Sequence, residues 1–253
     1  MLLALDDVRG YAIQTRDGRK GKAGDVFFDD HQWTVRYLVV DTGWLFGRKV
    51  LVAPAAVEAV DPAKEEIAVA LTTQQIEDGP GVGADMPVSR QQEISLADYY
   101  GWPHYWDMYA PGMAGVPVVP PLPPGGGAAG ERSPATDRSL ENADPHLRSA
   151  REVEGYAIAA TDGEIGSVSD FLFDDDGWSV RYLVVDTGTW LTGRKVLLAP
   201  SWATGIDWGE RVVRVDTTRE AVEKSPPFSG TGSIARDYER DLHDYYGRVP
   251  YWP

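Results

Sequence analysis

The apolar positions of this chain fall into short runs separated by turn signals. Residues 11–15, 23–28, 35–41, 50–53, 57–60 and 67–71 read as six strands, with Asp17-Gly18 as a turn dipeptide and Pro54 as a stop. Residues 35–41 form the strongest of these. Val35, Tyr37 and Val39 share one face of that strand, and Arg36, Leu38 and Val40 share the other. The second face is also largely apolar, so both faces are expected to be covered. Short strands at this spacing predict a small barrel. One short helical turn is expected around Gln74, Gln75 and Ile76.

The whole pattern then recurs. Gly10-Tyr11-Ala12-Ile13 returns as Gly155-Tyr156-Ala157-Ile158, and the segment VRYLVVDTG at 35–43 returns unchanged at 180–188. After a one-residue insertion, Gly47-Arg48-Lys49-Val50-Leu51 returns as Gly193-Arg194-Lys195-Val196-Leu197. Roughly two-thirds of the aligned positions are identical, far beyond chance, so the chain is an internal duplication. The segments behind the strands repeat too. Leu96-Ala97-Asp98-Tyr99-Tyr100-Gly101 aligns with Leu242-His243-Asp244-Tyr245-Tyr246-Gly247, and Tyr105-Trp106 with Tyr251-Trp252.

These tails predict helices. Ser89 to Gln92 has capping-box spacing. Ile234, Tyr238, Leu242 and Tyr245 form one apolar stripe at helical spacing, and Gly101 and Gly247 stand where a helix would end. Between the copies, Pro120-Pro121-Leu122-Pro123-Pro124 and the glycines of 125–130 read as a linker, stiff and then flexible. The expected organisation is a first repeat with its tail over 1–109, a Pro/Gly-rich linker over 110–150, and a second repeat with its tail over 151–253. The fold class is all-β with minor α: two small β-barrels of about six strands, each followed by a short helix and an aromatic tail. Tyr99, Tyr100, Trp102, Tyr105, Trp106 and Tyr109, with Tyr238, Tyr245, Tyr246, Tyr251 and Trp252, are too many large rings to leave in water. The two repeats are therefore expected to pair, with each tail docked at least partly on the other copy's barrel, as in a covalently linked dimer.

Composition narrows the functions. The net charge is −15 and the pI about 4.6, which repels phosphate backbones and anionic membrane surfaces. The expectation is no nucleic acid and no direct membrane insertion. There are no cysteines, which removes disulfides and thiolate chemistry and fits a reducing, cytoplasmic setting. The start of the chain has no basic region and does not read as a signal peptide.

Candidate chemistry is sparse. Asp29-Asp30 and Asp174-Asp175-Asp176 could offer oxygen ligands to a hard cation, but the consecutive spacing and Asp176-Gly177 favour turns. Arg48-Lys49 and Arg194-Lys195 stand out in so acidic a chain. They are candidates for an anionic ligand or an acidic partner, against the plainer reading of ion pairs with Asp41 and Asp186. Trp44 and Trp190, each followed by leucine, are candidate binding anchors or barrel plugs. His31, His104, His146 and His243 show no ligand spacing, so no metal is expected. No catalytic residues and no cofactor are assigned.

The repeated pattern, from Gly-Tyr-x-Ile through Phe-Asp-Asp and Trp-x-Val-Arg-Tyr-Leu-Val-Val-Asp-Thr-Gly to Gly-Arg-Lys-Val-Leu, resembles the PRC-barrel family over about 5–78 and 150–224. That family includes the cytoplasmic domain of photosynthetic reaction-centre H subunits and the C-terminal domain of a group of ribosome-maturation factors. The resemblance implies PRC-type barrels and an adaptor or assembly role, with no shared active site to carry over. The expected function is a non-enzymatic protein-interaction or assembly adaptor. The alternatives are a reaction-centre-associated protein with a role in electron or proton transfer, and a ribosome-maturation-related factor.

Overall fold

The computed structural model describes residues 1–43, 48–82, 88, 90–106, 147–188, 193–229 and 234–252. The first repeat runs β1 (Leu2–Ala4), α1 (Leu5–Val8), β2 (Ala12–Thr15), β3 (Gly18–Asp29), β4 (Thr34–Asp41), β5 (Lys49–Val52), β6 (Val57–Asp61), β7 (Glu66–Val69), α2 (Thr73–Asp78), β8 (Gly81–Val82) and α3 (Arg90–Tyr100). The second runs β9 (Leu147–Ser149), α4 (Ala150–Val153), β10 (Ala157–Ala160), β11 (Gly163–Asp174), β12 (Val180–Asp186), β13 (Lys195–Leu198), β14 (Ala203–Asp207), β15 (Val212–Val215), α5 (Arg219–Lys224) and α6 (Arg236–Tyr246). The fold is mostly β with minor helix, as the alternation predicts.

Both repeats follow one strand order. It is β6-β7-β2-β3-β4-β5-β8 in one sheet and β14-β15-β10-β11-β12-β13 in the other. Within each, β2 runs parallel to β7 and β10 parallel to β15, so the sheets are mixed. They are barrel-like but not closed. Between β5 and β6 the chain turns through a 3-10 turn at Pro54–Ala56, and between β13 and β14 through Pro200–Trp202. A proline at the start of the turn has no N–H to donate, so the ladder stops there.

The strand at 34–41 behaves as its pattern requires. Val35, Tyr37, Leu38, Val39 and Val40 are all buried, so neither face meets water. Gly21 and Gly166 let the long strands β3 and β11 run close to their neighbours. A Cβ at Gly21 would lie 2.2 Å from the Asp41 carbonyl oxygen, and one at Gly166 would lie 2.1 Å from that of Asp186.

The chain forms two compact units. One holds Met1–Arg9, Asp25–Arg36 and Ser149–Pro253; the other holds Gly10–Gly24 and Tyr37–Arg148. The first unit therefore contains the second repeat plus two pieces of the first. Strand β1 completes the second repeat's sheet, pairing antiparallel with β11 at Leu2–Asp174, Leu3–Phe173 and Ala4–Leu172. Leu3, Leu5 and Val8 are buried there. The hairpin tips also exchange backbone bonds: Val35 N–H donates to Trp178 O and Val180 N–H to Trp33 O, each at 2.7 Å. Trp33 and Trp178 take left-handed φ values of 53° and 55°, unusual for so large a residue. Each is held by ring stacking, Trp33 on Phe28 and Trp178 on Phe173. The repeats thus pair within the chain, but through arms and hairpin tips.

The tails differ from expectation. In α6 the polar contacts go to the tail's own repeat: Tyr238 Oη donates to Pro226 O at 3.2 Å and Tyr245 Oη to Ala221 O at 2.7 Å. In α3, Tyr100 Oη donates to Gln75 O at 3.2 Å. Tyr99 and Tyr245 remain 43% and 40% exposed, so not every ring is hidden. Each instead bonds through its hydroxyl and leaves one side of its ring in water. Residues 147–149, read as the end of the linker, are a strand. Ser89 and Tyr109 lie outside the described residues. Gly247 closes α6 at φ 60°, the expected C-cap.

Candidate functional site

The chemically richest place lies in the unit built around the second repeat. Tyr182 on β12 points at α6, where Glu239 and His243 stand one turn apart on the inner face. The Tyr182 hydroxyl lies 3.2 Å from Glu239 Oε1 and 3.0 Å from His243 Nε2. Tyr251, from the tail, donates to the same Glu239 oxygen at 2.7 Å, and Arg236 pairs with Glu239 Oε2 at 3.0 Å. A carboxylate only accepts, so the Tyr182 hydroxyl donates to Glu239, and His243 Nε2 lies within hydrogen-bond distance of the same phenol oxygen. Tyr182, Glu239 and His243 are all buried.

Burial sets the electrostatics. It pushes the Tyr182 phenol far above the usual tyrosine range, and the adjoining Glu239 carboxylate raises it further. Tyr251 is pushed up to about 12, mainly by burial. Burial also lowers His243, which keeps the imidazole neutral. Arginines close the network from above its rings: the Arg181 guanidinium sits 4.1 Å from the Tyr251 ring centre, and that of Arg236 4.3 Å from Trp252.

Beside this network opens a cleft of about 450 Å³. His31 and Trp33 of the first repeat's hairpin form one wall. Arg181, Ser201, His243 and Tyr251 of the second repeat form the rest. The cleft therefore needs both repeats.

The residues singled out from sequence are placed elsewhere. Arg48 donates to Glu77 O and Gly79 O, and Arg194 to Glu223 O at 2.9 Å and to Ser225 O. Each guanidinium thus caps the carbonyl end of a short helix, α2 or α5, which is a structural task. Lys49 and Lys195 stand opposite Asp41 and Asp186 in the strand ladders. The two basic pairs fall in different units. Trp44 and Trp190 lie outside the described residues. The Asp clusters serve their hairpins: Asp29 Oδ1 accepts from the backbone of His31 and Gln32 at 2.9 and 3.0 Å, and Asp174 accepts from Gly177 N–H.

Among the described residues, Asp6, Glu154 and Asp170 bring three carboxylates within 4.8 Å of one another. Arg9 already pairs with Glu154 and, at 2.7 Å, with Asp6. Sequence reasoning missed Glu239 and Tyr182 as partners, because a glutamate on an otherwise amphipathic helix reads as solvent-facing. The i, i+4 spacing of Glu239 and His243 beside Leu242 was the available signal.

Residues 145–222, which carry β11 and β12, match the family model described as PRC-barrel domain. This segment is a PRC-barrel domain. The first repeat is not matched by that model, yet it carries the same strand order as the PRC-barrel behind it. No curated protein matches the chain. Among the described residues, no helix is long and apolar enough to cross a membrane. The cleft lies against the PRC-barrel strand β12 and the helix α6 that follows the matched segment.

Proposed function

We propose that the chain is a non-enzymatic interaction or assembly adaptor, acting on a protein partner in the cytoplasm through the cleft between Trp33 and Tyr251. One observation carries this reading. Three groups beside the cleft that could do acid–base work, Glu239, His243 and Tyr182, are tied into one buried hydrogen-bond network. What the cleft offers a visitor is an indole, a guanidinium and a phenol ring, the side chains that anchor protein interfaces. The PRC-barrel match supports an assembly role.

The test is quantitative capture from a lysate of the source cell by the full chain, by Ser201→Trp, which fills the cleft, and by Arg181→Glu. A protein retained by the wild type and lost by both variants supports the reading. Identical capture by all three, or turnover of a metabolite that depends on His243, overturns it.

A further inference from the structure

The ion pair between Arg9 and Glu154 joins the same position of the two repeats, since the residues are separated by the repeat offset of 145. The backbone bonds around it are alike on both sides. Asp6 N–H donates to Asp170 Oδ1 at 3.2 Å, and Arg151 N–H donates to Asp25 Oδ1 at 3.2 Å; Asp6 and Arg151 are equivalent positions, as are Asp170 and Asp25. These bonds would form whichever repeat met whichever. The side chains distinguish the combinations, because only a first repeat meeting a second sets Arg9 against Glu154. Two first repeats would set Arg9 against Arg9. Two second repeats would set Glu154 against Glu154, beside two buried copies of Asp170. Arg9 and Glu154 are only 18% and 22% exposed, so water would screen such like charges poorly.

We propose that Arg9 and Glu154 form a pairing code: the arm Met1–Arg9 is matched to the second repeat, and pairing between like repeats of two chains is refused by like charge. Opposite charge on equivalent residues is how a duplicated chain would hold its two halves together and stay free of its own copies. The linker keeps the matched partner at high local concentration.

The experiment uses full-length chains carrying two different tags, unfolded together in urea and refolded at high protein concentration. In Arg9→Glu, the internal seam sets glutamate against Glu154. In Glu154→Arg, it sets Arg9 against arginine. Mixed, the two variants can satisfy both seams only by pairing between chains. The expected result is a one-to-one heterodimer, enriched about ten-fold over a mixture of two wild-type chains, as about 1.4 kcal/mol of preference would give. Neither variant refolded alone should dimerise to that extent. A mixture of the neutral variants Arg9→Gln and Glu154→Gln should show no enrichment. Equal heterodimer from the charged and neutral mixtures overturns the proposal, as does aggregation of the charged mixture, which the pairing should rescue.

Discussion

Asp170 is buried in the second repeat as Asp25 is in the first, yet only Asp25 receives a hydroxyl, from Ser149. The position equivalent to Ser149 is Ala4, which has none to give. Asp170 is left with backbone donors, from Phe171 at 2.7 Å and Asp6 at 3.2 Å. Burial, aided by the Asp6 charge, raises its pKa to about 7. Burial raises Asp25 as well, against the pull of the Ser149 bond.

This asymmetry sets a pH dependence. Unfolded, Asp170 ionises near the ordinary carboxylate pKa of about 4. Folded, it keeps its proton to about pH 7. Between those values the native state binds more protons, so stability falls as pH rises and levels off above 7. Asp170→Asn, which mimics the protonated form, should match the wild type near pH 4 and exceed it at pH 8 by on the order of 4 kcal/mol. Urea midpoints at pH 4.5, 6 and 8 measure it. Parallel curves for the two proteins would show that Asp170 titrates normally.

Ala4→Ser should restore the missing donor. Ser149 both bonds Asp25 and caps α4, accepting Glu152 N–H at 3.2 Å. Ala4 precedes α1 with no side-chain cap. A serine there should add about 1 kcal/mol as a cap and lower the Asp170 midpoint. Carboxyl titration by NMR reads the midpoint, and an unmoved midpoint would show that the new hydroxyl does not reach Asp170.

What the sequence shows of this architecture follows from period and turn chemistry. The buried strand at 35–40, the helical turn around Gln74, Gln75 and Ile76, and Gly247 after α6 are all local, and each is where its pattern puts it. The arm exchange is not local. Leu2–Ala4 would look the same paired with either repeat's long strand, and three residues are too few to signal a strand. The candidate site was equally hidden. Glu239 and His243 look like the wet side of α6, and only their meeting with Tyr182 turns them into core. Arg48 and Arg194 were visible as unusual cations, but the carbonyls they cap lie 29 and 31 residues further on.

Gly166→Ala should be among the most damaging single-atom additions. The new Cβ would meet the Asp186 carbonyl oxygen at 2.1 Å, in a backbone with φ 149° that side chains rarely adopt. Both obstacles are backbone, so no rotamer change relieves them. The loss should exceed about 3 kcal/mol. A urea midpoint within error of wild type would mean that β11 and β12 can separate at no cost.

Arg194→Ala should loosen the end of α5. The guanidinium bonds Glu223 O and Ser225 O, carbonyls that no longer have helical partners. About 1–2 kcal/mol should be lost. Amide exchange should quicken across residues 219–228 and stay unchanged in β10. Lysine at 194 should recover only part, since one ammonium cannot match the planar fork. Unchanged exchange over that segment would assign the stability of α5 to Val222 packing alone.

Tyr182→Phe tests whether the buried network is structural. Removing the hydroxyl takes one donor from Glu239 and the hydrogen-bond partner from His243 Nε2, both inside the protein. The cost should be about 1–3 kcal/mol, because buried polar groups are left unpaired. Tyr251 and Arg236 still hold Glu239, which keeps the loss below that of an isolated buried charge. The network should also shape the acid side of the stability curve. Burial lowers His243 below the usual histidine pKa of about 6.5, so the unfolded chain takes up its proton first as pH falls. Stability from this residue is complete above about 6.5 and is lost as pH drops toward the folded value. His243→Leu should flatten that limb while leaving the Asp170 fall between pH 4 and 7 in place, so the two residues pull the profile in opposite directions. Comparing urea midpoints of wild type and His243→Leu from pH 4.5 to 7.5 separates them. If the difference between the two proteins does not change with pH, His243 is not held neutral by the fold.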